Sequence, residues 1–291
     1  MRRSRIKLIG LIGIVVIFMV SCQKNERTDD KFGTLRISLT DDPFPIEFIK
    51  EANVKISKIE IRAMDNHDGY KYEDDNGYPF MTLLDETREF NLLDLQNGVV
   101  AELLELEVPV GSYDLLRLYV TEASVVVDNQ GTDDTYILKV PSGQQTGIKI
   151  FIEPPIYVEG GLTTDLLLDL SLEKSFILKG NTNTPAGIKG FNFKPVIRAV
   201  NNSTAGTVQG IVSEKETEEL IENASLGIVV EDDTISTAFS DENGFYAMTG
   251  IPEGTYLIYA YKEDYDTVHV DIEVKAANLM VQDFVLSPIE E

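Results

Sequence analysis

Cys22 is the only cysteine among 291 residues, so no disulfide can form within the chain and its one thiol is left for other chemistry. Ser21 precedes it, at the end of an apolar run from Leu8 to Val20. The two histidines are His67, in an acidic turn, and His269, in an alternating stretch. Neither belongs to a His-Glu-x-x-His pair, and no Gly-x-Ser-x-Gly elbow or glycine-rich phosphate loop occurs. A hydrolytic carboxylate pair needs only two acids, but no spacing singles one out, and the chain reads as a non-enzyme. Calcium is the cation that these acids suit best, because carboxylate oxygens are hard ligands. Asp65 to Asp75, Asp128 to Asp134 and Glu231-Asp232-Asp233 each gather such oxygens, and Asp128, Asp133 and Asp134 are the candidate ligands. None of these loops has EF-hand spacing, and the same residues suit solvated hairpin turns. No other cofactor is expected. Trp is absent, so any sugar stacking would fall to Tyr70, Tyr72, Tyr78, Tyr259 or Tyr261, for which ordinary packing is the competing use.

The segment before Cys22 has the form of an export signal. Arg2, Arg3, Arg5 and Lys7 make a cationic start, and the apolar run that follows is 13 residues long. A spanning helix needs about 20. Phe18-Met19-Val20-Ser21-Cys22 resembles a bacterial lipobox, with Met19 where Leu is usual. The resemblance implies diacylglycerol on the Cys22 thiol and removal of residues 1–21. Each buried methylene contributes roughly 0.8 kcal/mol, so one acyl chain anchors weakly and two or three anchor firmly. Gln23 stands where a residue other than Asp favours outer-membrane sorting in proteobacterial lipoproteins. Residues 22–32 are polar and charged, as a flexible stalk would be, and their acids resemble the export signal of Bacteroidota surface lipoproteins. Asp233-Thr234-Ile235 and Asp266-Thr267-Val268 resemble the O-glycosylation motif of the same group.

Charge narrows the class of partner. The formal charge is −24, and removing residues 1–21, with four cations and no acid, takes it to −28. Residues 206–291 hold 19 acids and 3 Lys, a net −16. Such a surface repels nucleic acid and bare anionic membrane. It leaves cations, basic proteins and neutral ligands as partners.

Period-two alternation dominates the chain. Leu35-Arg36-Ile37-Ser38-Leu39 and Val54 to Ile61 are examples. Leu166, Leu168, Leu170 and Leu172 share one face, opposite Asp165, Asp169 and Ser171, so the second face is expected to be wet. Turn clusters of Asp, Asn and Gly separate these runs. The expected fold is all-β, two antiparallel β-sandwich domains of the transthyretin or Ig-like class. Phe44 to Ala52 and Val100 to Leu106 look briefly helical, and Glu216 to Glu222 adds a turn. The polar stretch Asn201 to Gly206 separates a first domain at 33–200 from a second at 206–288. Pro109-Val110-Gly111-Ser112-Tyr113 and Pro252-Glu253-Gly254-Thr255-Tyr256 repeat one turn device, one in each domain.

Two family resemblances follow. Gly206-Thr207-Val208, Asp241 to Phe245 and Ile251 to Ala260 make the second domain resemble the carboxypeptidase regulatory-like domain, a small transthyretin-like sandwich. Ser240 replaces the usual Thr, Glu214 to Glu222 is an acidic insert, and Asp264 stands where Gly is usual. Starch-binding-like modules share this fold. In the first domain, the segments are Leu39-Thr40-Asp41-Asp42-Pro43, Phe90 to Leu95, Val108 to Tyr113, Arg117-Leu118, Leu138 to Gly143, Gly147 to Ile150 and Lys194 to Arg198. In this order they resemble the bacterial lipoprotein domain of unknown function 4382, which implies an extracytoplasmic β-protein and no activity. The expected protein is a non-enzymatic lipoprotein of the outer membrane, on its periplasmic face or the cell surface. It would act by binding or adhesion, or as an accessory subunit, with a protein or glycan partner outside the cytoplasm. A carbohydrate-binding module is the alternative and a hydrolase the third.

Overall fold

The structure is a computed structural model, and it describes residues 31–42, 48–64, 80–140, 145–181, 184–231 and 233–289. Strand dominates these residues, and none of their helices is long and apolar enough to cross a membrane. In chain order the first half has β1 (Phe32–Asp42), β2 (Ile49–Ala63), β3 (Phe80–Leu84), β4 (Arg88–Asn91), β5 (Ala101–Pro109) and β6 (Gly111–Asn129). It continues with β7 (Thr132–Leu138), β8 (Ile148–Val158), β9 (Thr163–Ser171), β10 (Phe176–Gly180), β11 (Ile188–Phe193) and β12 (Ile197–Asn201). The second half has β13 (Gly206–Glu214), β14 (Ser225–Val230), β15 (Asp233–Phe239), β16 (Phe245–Ile251), β17 (Gly254–Tyr261), β18 (Val268–Val274), β19 (Leu279–Val281) and β20 (Phe284–Leu286).

The strands form two sandwiches. In the first, a sheet ordered β12-β9-β1-β5 faces a larger one built on β2 and β6, with β3 and β4 along β2 and β7 and β8 along β6. The alternating residues close between them: Leu35, Ile37, Leu39, Leu166, Leu168 and Leu170 meet Ile56, Ile59, Leu116 and Leu118 in one buried cluster. The β10–β11 hairpin adds Phe176 and Phe193, ring centres 4.9 Å apart. In the second sandwich β16-β13-β19, with β20 also on β13, faces β15-β14-β17-β18 around Val208, Leu226, Tyr246, Ile258 and Phe284. The Tyr246 hydroxyl donates to the Gln282 carbonyl at 2.5 Å. Burial, and to a lesser degree Asp283, push the ionisation of that hydroxyl upward. Most pairings are antiparallel, but β1 runs parallel to β9, and β13 runs parallel to β19 and β20.

One expected helix is a strand, and so is most of the described part of the other, for one shared reason. In Val100 to Leu106 the register opposite β1 skips from Leu104 to Glu102. The bulge turns both Leu103 and Leu104 inward, and the doublet imitates a helical period. In Phe44 to Ala52 the described part enters β2, where a register shift between Ile49 and Glu51 buries Ile49 and Ala52 three residues apart. The acidic insert makes a turn that Glu218 closes by donating its backbone N–H to the Glu214 carbonyl at 3.1 Å. The shared turn device is real in both domains. The Tyr113 hydroxyl donates to the Pro109 carbonyl and the Tyr256 hydroxyl to the Pro252 carbonyl, each at 2.8 Å.

Candidate functional site

The outer face of the β12-β9-β1-β5 sheet carries a row of three polar residues. Register sets Thr40 beside Asp169 and Asp169 beside Arg198. The expected wet face of β9 is dry here: Asp169 is 6% exposed and Leu167 is fully buried. The second domain supplies the cover. A Cβ on Gly250 would lie 2.7 Å from Leu167 Cδ2, and one on Gly98 would lie 3.1 Å from Ala247 Cβ. Gly250 also has φ +70°, a conformation that favours glycine. Thr40, Asp41, Asp169, Ser236, Thr237 and Thr249 enclose a polar void with room for about one water.

Asp169, Asp41 and Thr40 are engaged in structural contacts under this cover. Arg198 Nη2 donates to Asp169 Oδ2 at 2.7 Å. Leu172 donates its backbone N–H to Asp41 Oδ1 at 3.0 Å. The Thr40 hydroxyl lies 2.9 Å from the Val99 carbonyl and 3.2 Å from that of Leu95. Burial raises the Asp169 carboxyl above the ordinary carboxylate range, and the attraction of Arg198 opposes part of that rise. Neither a histidine nor a cysteine is among the residues that enclose the void. Beside it, Pro154, Pro155, Val200, Ala205 and Pro252 line an open hollow of about 240 Å³ that Arg198 also borders.

A second charged cluster lies on the outer face of the β2–β6 sheet. Glu60 is buried, and Tyr119 donates its hydroxyl to Glu60 Oε2 at 2.8 Å. Lys58 pairs with Glu60 Oε1, and Arg117 Nη1 lies 3.7 Å from Oε2. The Arg117 guanidinium also sits 3.7 Å from the centre of the Phe80 ring. Burial and the hydrogen bond to Glu60 raise the Tyr119 hydroxyl. The whole network lies within one domain.

The residues singled out from the sequence fall in separate places. Asp128, Asp133 and Asp134 lie on the β6–β7 hairpin, each with a local partner. Asp128 Oδ1 accepts the Gly131 N–H at 2.8 Å, Asp134 Oδ2 accepts Asn129 Nδ2 at 3.0 Å, and Lys50 Nζ reaches Asp133 Oδ1 at 2.6 Å. Among the described residues no group of three or more His, Cys, Asp or Glu side chains is placed to hold a metal. Tyr259 and Tyr261 share the outer face of β17. The Tyr259 ring covers Gly227, where a Cβ would lie 2.5 Å from it, and it stands 6.4 Å from the His269 ring. Tyr261 is exposed. Cys22, Tyr70, Tyr72, Tyr78 and His67 lie outside the described residues. Sequence reasoning missed Asp169 and Arg198 as partners, although Arg198 closes the last of the first domain's characteristic segments.

Comparison with known proteins gives two family matches. Residues 32–195 match DUF4382, a domain of unknown function, and residues 207–287 match the carboxypeptidase regulatory-like domain. No curated protein matches the chain. Among solved structures, the TIE protein of Bacillus anthracis is 13% identical with a TM-score of 0.27, over 89% of this chain and 34% of that one. This chain therefore spans about a third of that protein's length. A putative carbohydrate binding protein from Bacteroides uniformis is 19% identical with a TM-score of 0.25, over 28% and 41% of the two chains. A mutant of the shaft pilin SpaA from Lactobacillus rhamnosus GG is 13% identical with a TM-score of 0.27, over 90% and 98%. Scores this low carry no functional weight, and the family matches stand on their own. The chain belongs to the DUF4382 family, and a carboxypeptidase regulatory-like domain follows its DUF4382 domain.

Proposed function

We propose that this protein is a lipid-anchored, non-enzymatic component of a Bacteroidota-type cell envelope. It sits on the outer membrane, on the periplasmic face or at the cell surface, and works by binding or adhesion or as an accessory subunit. The observation that carries this reading is Cys22, alone of its kind and placed directly after a cationic and then apolar leader. The junction supports it, because Asp169 is buried beneath the second domain and its carboxylate is engaged by Arg198. Metabolic labelling with an alkyne fatty acid tests the anchor: label and membrane fractionation should both vanish in Cys22→Ala. Crosslinking in intact cells, with protease shaving as control, tests the role. Shaving that spares the protein would rule out surface adhesion and leave a periplasmic role.

One observation favours a second reading, a carbohydrate-binding module. Tyr259 lies across Gly227 beside exposed Tyr261, so an aromatic surface faces outward from β17. A glycan array without hits, or hits that survive Tyr261→Ala, would remove it.

A further inference from the structure

The outer face of the β16-β13-β19 sheet carries apolar side chains that neither core covers. Ile211, Leu220, Leu279, Val281 and Val285 are each 43–61% exposed. Register places Leu279 beside Thr207, Val281 beside Gln209 and Val285 beside Ser213, with Ile211 between the last two positions on β13. Phe245 flanks Ile211 from β16. Ile211 Cγ2 and Leu220 Cβ lie 3.5 and 3.3 Å from the point where a Cβ on Gly244 would be, so Leu220 extends the strip around the hairpin. The fold does not require this. The core-facing residues of the same strands are Val208, Val212, Phe284 and Leu286, and β18 fills its own outward row with His269, Asp271 and Glu273. A row of exposed apolar side chains gathered on one sheet face is the mark of an interaction site.

What the strip receives follows from its rim and its edge. Glu219, Glu242 and Asp283 adjoin it in sequence, within a segment of net charge −16. A second copy would set these acids against themselves, and anionic lipid or nucleic acid would be repelled. The edge strands are three residues each and break at Gln282–Asp283, where Gln282 donates to the Gln209 carbonyl and Asp283 Oδ1 accepts the Ile211 N–H. That break blunts the edge against strand addition, so the face is the docking surface. We propose that this strip docks a partner protein through a segment bearing both apolar and cationic side chains. The proposal rests on the binding role above, but its failure is separable, because anchoring is read from Cys22→Ala alone.

The test is calorimetric titration of the full chain with a synthetic peptide of alternating valine and lysine, against its valine–glutamate counterpart. The valine–lysine peptide should bind saturably and the valine–glutamate peptide should not. Val281→Asp and Val285→Asp should each weaken binding by about tenfold, the scale expected when one apolar side chain no longer packs in an interface. Tyr261→Asp adds the same charge on the other sheet's outer face and should leave binding within about twofold. Both valines are more than half exposed, so melting curves of the variants should match the parent. Four results would each overturn the proposal: no saturable binding, equal binding of both peptides, equal weakening by the Tyr261 and Val281 variants, or a dimer of the chain alone that Val281→Asp dissolves.

Discussion

Glu60 and Asp169 are both buried carboxylates on the outer face of a sheet, and they are held in opposite ways. Glu60 draws on Lys58, Arg117 and Tyr119, all from the two strands at the centre of its own sheet. Asp169 has Arg198 as its hydrogen-bonded cation, with Lys174 attracting it from farther off, and its dryness comes from a different domain. A carboxylate with several partners tolerates the loss of one. One with a single hydrogen-bonded cation under a removable cover does not. The first arrangement stabilises a domain; the second makes the stability of one domain's surface depend on the other's position.

The largest expected effect breaks the single pair. Arg198→Met leaves Asp169 buried without its hydrogen-bonded cation and should cost about 3–5 kcal/mol in chemical denaturation. Burial raises the folded carboxyl of Asp169, so its contribution is most favourable below the ordinary carboxylate value of about 3.9 and is lost as pH rises through the folded value. The Arg198→Met deficit should therefore be larger at neutral than at acid pH, and Asp169→Asn should flatten that dependence. Gly250→Ala comes next, at about 1–3 kcal/mol, because φ +70° is unfavourable for alanine and its Cβ would meet Leu167. It should raise proteolysis at residues 201–205 before either domain unfolds. Tyr119→Phe should cost about 1 kcal/mol, since Glu60 keeps both cations. The smallest expected effect lies on the β6–β7 hairpin, where the acids already have local partners. Millimolar calcium should leave the melting temperature unchanged, and a clear rise would restore those acids as ligands.

Much of the architecture is legible because a half-buried strand writes its burial directly into alternation. Leu35, Ile37 and Leu39 go where period two sends them, and the Pro-x-Gly-x-Tyr device closes the same hydrogen bond twice. The departures share a cause: they depend on something outside the segment. Leu103 and Leu104 both face inward because of a bulge against β1, a property of the pairing. Alternation assigns Asp169 to water, because it separates core from not-core and says nothing about a second domain lying over the sheet. The parallel neighbours of β1 and β13 are likewise invisible, since period two is the same in either direction.

Those parallel neighbours decide how the second domain would bear a load. Gly206 opens β13 and Leu286 closes β20, and the two strands run the same way side by side. Tension between the entry and exit of this domain pulls the strands past one another along their length. The hydrogen bonds joining β13 to β19 and β20 are then strained in shear and must yield together, where an antiparallel pair drawn apart from one end would unzip bond by bond. A protein tethered at one end and gripped at the other would thus meet its resistance at β13, the strand that enters directly from the junction.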